Sequence, residues 1–99
     1  MPLTEDIIKK IADDTGISVG ELTISGLLAF LREKRRKIMM DRLEVLNRYN
    51  VTSGEEIENK IKFGEIPEHP TWEDLILFEN LESAIAQINE DIRAIQESS

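Results

Sequence analysis

The chain has 99 residues, a mass of 11.3 kDa, no cysteine, a single histidine and a formal net charge of −8. Its 30 Leu, Ile, Val and Phe residues place it above the level of disordered chains and imply one small folded domain over residues 1–99. The composition excludes a disulfide framework, a thiolate metal site and histidine-cluster metal chemistry, and its acidity disfavours unspecific binding to nucleic acid or to an anionic membrane.

The N-terminus is acidic where a signal peptide is basic, and no long apolar stretch follows it. The expectation is therefore a chain without a membrane span and, by default, a cytoplasmic location. The first predicted helix runs over 4–14. Thr4 is its N-cap, Ile7, Ile8 and Ile11 form a narrow apolar stripe, and Gly16 is the stop. Residues 17–22 read as a connector.

A long second helix is predicted over 24–49 with Thr23 as N-cap. Ile24, Leu31, Ile38 and Val45 recur at every seventh position, flanked by Leu27, Leu28, Met39, Leu46 and Tyr49, and Gly26 falls in the first turn. Residues 51–70 form a bend. Within it, Ser53-Gly54-Glu55-Glu56 has capping-box spacing and predicts a short helix to Lys62, closed at Gly64. Pro67 and Pro70 then hold Glu68 and His69 extended, and Thr71 is the predicted N-cap of the last helix.

That last helix carries the cleanest pattern. Phe78, Leu81, Ile85, Ile88, Ile92 and Ile95 alternate three and four residues apart, an a/d seam over nearly three heptads. Two long amphipathic helices joined by a compact bend give an all-α, coiled-coil-like antiparallel hairpin over 23–97. Residues 1–20 form an N-terminal helical extension, and a homodimer is expected, two hairpins pairing as a four-helix bundle. Trp72, Leu75, Ile76, Leu77 and Phe78 make the start of this helix apolar nearly all round. That collar demands cover, either from the bend and first helix or from another chain.

Residues 1–50 carry a net +1 and residues 51–99 a net −9. A basic helix lying beside an acidic one accounts for part of this. Most of the run Arg32-Glu33-Lys34-Arg35-Arg36-Lys37 is a solvated face, but Arg35 and Arg42 fall inside the apolar stripe. With Tyr49 opposite the start of the last helix, Arg35 is expected near Ile85 and Arg42 near Phe78. Glu82 and Glu79 are their expected partners, so that these arginines fix the register.

Residues 11–18 have a helix-turn-helix cast, with Ala12 four before Gly16. Asp13 and Asp14 would repel phosphate, however, and residues 20–25 hold no Arg, Lys, Asn or Gln to read bases, so nucleic-acid binding is not favoured. His69 has no second histidine nearby in sequence and reads as a surface or capping residue. No phosphate loop, nucleophile elbow or carboxylate pair appears, so neither a catalytic residue nor a bound metal or cofactor is expected.

The stretches Leu22-Thr23, Phe30-Leu31 and Lys34, then Tyr49-Asn50-Val51, then Gly64-Glu65 and Glu68-His69-Pro70-Thr71-Trp72-Glu73-Asp74, resemble a group of short helical prokaryotic proteins often encoded beside toxin-like genes. They are similar to antitoxin components of the TumA type. The resemblance covers residues 22–85, its distinctive piece being residues 69–74, and it assigns no role to single residues. It implies protein–protein binding. On that reading the acidic half steers toward a basic toxin through Glu73, Asp74 and Glu79, while Trp72, Leu75, Ile76 and Leu77 supply the apolar anchor. A DNA-binding regulator acting through residues 8–31 and a purely structural helical dimer are the rival expectations.

Overall fold

Residues 4–98 are described by the computed structural model, so Met1 to Leu3 of the N-terminus lie outside the described residues, while its acidic Glu5 and Asp6 lie within them. Four helices follow one another: α1 (Glu5–Thr15), α2 (Val19–Arg48), α3 (Gly54–Lys62) and α4 (Glu68–Ser98), with no strand among the described residues. α2 and α4 run antiparallel over their length, α3 packs on α4 near the bend, and α1 packs on α2, from which it is bent by 94°. The result is an extended molecule of 61 × 29 × 19 Å with a radius of gyration of 19.8 Å. A compact chain of this length would have a radius of about 13 Å.

Local chemistry sets the helix ends. Thr4 caps α1 as expected, its hydroxyl accepting from the Ile7 amide at 3.3 Å. The C-termini of α1, α2 and α3 share one device. A residue in the left-handed conformation (Gly16, Asn50 and Gly64 in turn) follows each helix, and the next amide reaches back five residues: Ile17 to Ala12, Val51 to Leu46 and Glu65 to Lys60. These are Schellman closures, which satisfy carbonyls that a helix end leaves open.

Three local expectations are corrected. The N-cap of α2 is Ser18, whose Oγ accepts from the Glu21 amide at 3.0 Å, and the hydroxyl of Thr23 bonds back to the Val19 carbonyl inside the helix. The connector is thus only Gly16-Ile17-Ser18, and Gly26 lies two turns into α2 rather than in its first turn. Ser53 caps α3 as expected, but Glu56 reaches one residue further back than in a capping box, to the amide and hydroxyl of Thr52. Thr71 does not cap α4: the non-helical residue is His69 (φ −111°, ψ 134°), followed by a cis bond to Pro70, so Thr71 is already helical and is 2% exposed. Proline suits a first helical position because its missing N–H is not needed there.

The core sits at the bend. Val45, Leu46, Val51, Ile57, Leu75 and Phe78 form one buried cluster, edged by Tyr49, Ile61, Ile66 and Leu81. Only here do three helices meet. Further along the hairpin Ile88 and Ile92 are buried, while Leu31, Ile38 and Ile85 remain half-buried, because two helices cover a seam from one direction only. In α1 only Ala12 is buried, and Ile7 and Ile11 stay open.

Gly54 is where the bend closes. A Cβ there would lie 2.6 Å from Cε1 of Phe78, a side chain with 1% exposure. The glycine lets the first turn of α3 rest directly on that ring. Gly54→Ala is expected to cost about 1–3 kcal/mol through forced repacking. Gly26→Ala should do the opposite, gaining about 0.5–1 kcal/mol, since a Cβ there meets nothing within 4 Å and the position is helix interior. Urea denaturation of the two variants checks both signs.

Candidate protein-binding surface

The predicted arginines both lie half-buried between α2 and α4, with shifted partners. Arg42 stacks over Phe78, 4.9 Å from the ring centre, and its Nη2 lies 3.4 Å from Glu82 rather than beside Glu79. Arg35 donates to Asn89 at 2.7 Å and not to Glu82. The displacement has a geometric cause. Helical side chains lean toward their own N-terminus, and in an antiparallel pair that direction runs toward the C-terminus of the facing helix. Each guanidinium therefore lands further along α4 than the Cβ positions suggest.

At the bend a polar knot joins α2 to α4. The Tyr49 hydroxyl donates to the Asp74 carboxylate and accepts from the Thr71 hydroxyl, and Arg48 Nη1 lies 3.0 Å from Asp74 Oδ2. The carboxyl of Asp74 is held below its ordinary value, first by the Tyr49 hydrogen bond and then by Arg48, against the upward push of burial. The Tyr49 hydroxyl is pushed up, first by burial and then by its bond to Asp74.

This knot corrects part of the predicted anchor. Asp74 is bound within the fold and is no free steering charge, and Leu75, at 3% exposure, belongs to the core. The remaining predicted residues are open. Trp72, Ile76 and Leu77 are 46%, 47% and 45% exposed, and Glu73 and Glu79 are exposed. They do not form one ring. Trp72 and Ile76, four apart, share a helix face. Leu77 lies on another flank, in a groove with Asp41, Glu44, Val45, Arg48 and Leu81.

Glu79 lines a separate groove beneath α3 with Glu55, Glu58 and Glu82, floored by Leu75 and Phe78. Among the described residues, Glu55, Glu58, Glu65, Glu68, Glu73 and Glu79 form no ion pair. The α3–α4 end therefore carries exposed apolar side chains together with carboxylates that form no ion pair. Phe63, 78% exposed at the tip of α3, adds to it. Sequence reasoning passed over Phe63 because no periodicity marks it. It marked Thr71 as a helix cap only and missed Arg48, since nothing local places either beside Tyr49 and Asp74. His69 is exposed. Among the described residues no group of three or more His, Cys, Asp or Glu side chains is placed to hold a metal ion. No single described helix is long and apolar enough to cross a membrane.

The knot has a pH signature. Because the folded pKa of Asp74 is depressed, its stabilisation is complete above the unfolded value of 3.8 and is lost as pH falls through the folded one. For Tyr49 the folded value is raised, so its stabilisation is complete below the unfolded value of 10.0 and is lost as pH rises through the folded one. Asp74→Asn is expected to cost about 1–2 kcal/mol at neutral pH and to flatten the acid limb of the stability profile. Denaturation followed across the acid range tests this, and an unchanged acid limb would contradict the assignment.

Comparison with known proteins adds a family but no further residue roles. No curated protein and no solved structure matches the chain. The family model that matches, over residues 1–99, is that of the uncharacterized protein MJ0235 family, and the chain belongs to that family.

Proposed function

We propose that the chain is a non-catalytic protein-binding module that works as a homodimer and captures a basic protein at its acidic α3–α4 end. The observation that carries this reading is the pairing of open apolar groups (Trp72, Ile76, Phe63) with carboxylates that have no cation of their own. Free carboxylates of one sign steer a basic partner and raise its encounter rate. A half-exposed tryptophan beside an isoleucine gives the apolar anchor that holds it. The resemblance of residues 22–85 to TumA-type antitoxins supports a toxin as that partner, its substrate or nucleic-acid surface masked by the acidic end. A cytoplasmic location fits this role.

A helix-turn-helix reading is the second, favoured by one observation. α1 and α2 meet at 94° across a three-residue turn with Gly16 in the left-handed conformation, as such motifs require. Asp13, Asp14 and Glu21 at the elbow oppose it electrostatically. A salt-dependent gel shift with the upstream DNA of its own gene separates the two.

The main reading predicts that the product of the adjacent gene co-purifies with the chain. Trp72→Ala should weaken that complex by about 30-fold or more, as loss of a buried aromatic anchor does. Glu73→Lys with Glu79→Lys should slow association about tenfold at low salt and little at high salt. Surface plasmon resonance at two ionic strengths reads both effects. An unchanged association rate would contradict steering by this end.

A further inference from the structure

α2 carries a second heptad-spaced stripe beside the one facing α4. Leu27, Phe30, Lys34, Lys37, Asp41, Glu44 and Arg48 recur at alternating three- and four-residue steps, and all seven are exposed. Phe30 is 63% exposed and Leu27 48%. The stripe follows coiled-coil spacing on an exposed flank of α2, and at its C-terminal end it borders α4, where Arg48 meets Asp74 and Asp41 and Glu44 share a groove with Leu77 and Leu81.

Its order of chemistry is the informative part. From the N-terminal end it runs apolar, apolar, basic, basic, acidic, acidic, basic. Inverted about the point between Lys37 and Asp41, the stripe complements itself. Lys37 falls opposite Asp41, Lys34 opposite Glu44, and the Phe30 ring opposite the Arg48 guanidinium, an arrangement suited to cation–π contact. A two-fold interface requires this property, since one patch must meet its own copy in reverse.

The surface on either side of that point is shaped in the same sense. Phe30 stands in a shallow groove with Glu33, Lys34 and Lys37. The groove at the other end, between Asp41, Glu44 and Arg48 on α2 and Leu77 and Leu81 on α4, is lined by Val45. Antiparallel pairing brings the phenyl ring of each copy to the apolar groove of the other, and the open Leu77 gains a cover. The groove that α3 borders shares no residue with the Leu77 groove.

Area argues for a second copy as the occupant. The chain exposes 7301 Å², whereas a compact monomer of 11.3 kDa exposes about 5,700 Å². The excess is about twice the roughly 800 Å² that each partner loses in a standard interface. One flank of α2 and α4 is ample for that, and it leaves the acidic α3–α4 end free.

We propose that two copies associate antiparallel through this α2 stripe, Lys34 and Lys37 of each facing Glu44 and Asp41 of the other, with Phe30 seated against Leu77 and Leu81 of the second copy. The proposal rests on the self-association in the preceding reading, and not on the identity of the basic partner. It gives the heptad flank of α2 a defined mate and makes a four-helix assembly with the two α2 helices in contact.

Charge exchange tests it. Sedimentation equilibrium of the full chain at about 50 µM, within the range where interfaces of this size assemble, should give twice the 11.3 kDa chain mass. The variant Lys34→Glu with Lys37→Glu and the variant Asp41→Lys with Glu44→Lys should each dimerise at least about 100-fold more weakly, through like-charge contacts across the two-fold. Circular dichroism should show each still helical. Mixed in equal amounts, the two variants should form a heterodimer within about tenfold of wild-type affinity. A wild-type monomer at that concentration would overturn the self-association. A wild-type dimer indifferent to both reversals would overturn this face, and reversed variants that fail to recover on mixing would overturn the antiparallel register.

Discussion

Two helices can bury one seam and no more, and this limit shapes the whole molecule. A third helix closes over the pair only at the bend, and it does so because Gly54 has no Cβ. The ring of Phe78 fills the space that a side chain at Gly54 would need, and Arg42 covers another side of the same ring. Around that contact Val45, Leu46, Val51, Ile57 and Leu75 become a core in the full sense, with atoms on every side. The polar knot of Tyr49, Thr71, Asp74 and Arg48 depends on the same closure. A half-buried carboxylate is stable there only because a phenol and a guanidinium are held in reach of it.

Away from the bend the burial thins. The seam residues of α2 and α4 are half-covered, and α1 contributes one buried alanine. An eleven-residue helix is marginal in water on its own, so α1 draws its stability from caps and from its short contact with α2. This gradient separates two roles along the hairpin. The well-packed end is a rigid platform carrying unpaired carboxylates, which is what the proposed capture of a basic protein requires. The thinly packed flank of α2 has the unsatisfied apolar area and the reversed charge order that suit a second copy.

Much of the architecture was legible in the sequence, for identifiable reasons. The three–four alternation from Phe78 to Ile95 and the sevenfold recurrence along α2 have only one geometric reading, a helical seam. Gly16 and Gly64 end helices because left-handed backbone suits glycine best. What escaped depends on distances between elements. Asp74 looked like a surface acid because nothing local reveals that Tyr49, twenty-five residues earlier, donates to it. Leu75 belonged to the collar by composition, and its burial follows from where α3 and α2 come to lie. The partners of Arg35 and Arg42 were displaced because register was read from Cβ positions while long side chains lean along the helix. The N-cap of α2 was misplaced by five residues since Ser18 and Thr23 carry equal capping chemistry, and the tertiary position of α1 decides between them.

Stability is concentrated at the bend and fades along the hairpin, and in the proposed dimer a second copy covers the thin flank. Native-state hydrogen exchange at two protein concentrations measures this most directly, because it reads opening free energy residue by residue. Exchange should be slowest at Val45, Leu46, Ile57, Leu75 and Phe78 at both concentrations, α1 should show little protection, and protection over residues 27–44 should rise with concentration. Uniform protection along α2 and α4, independent of concentration, would contradict it.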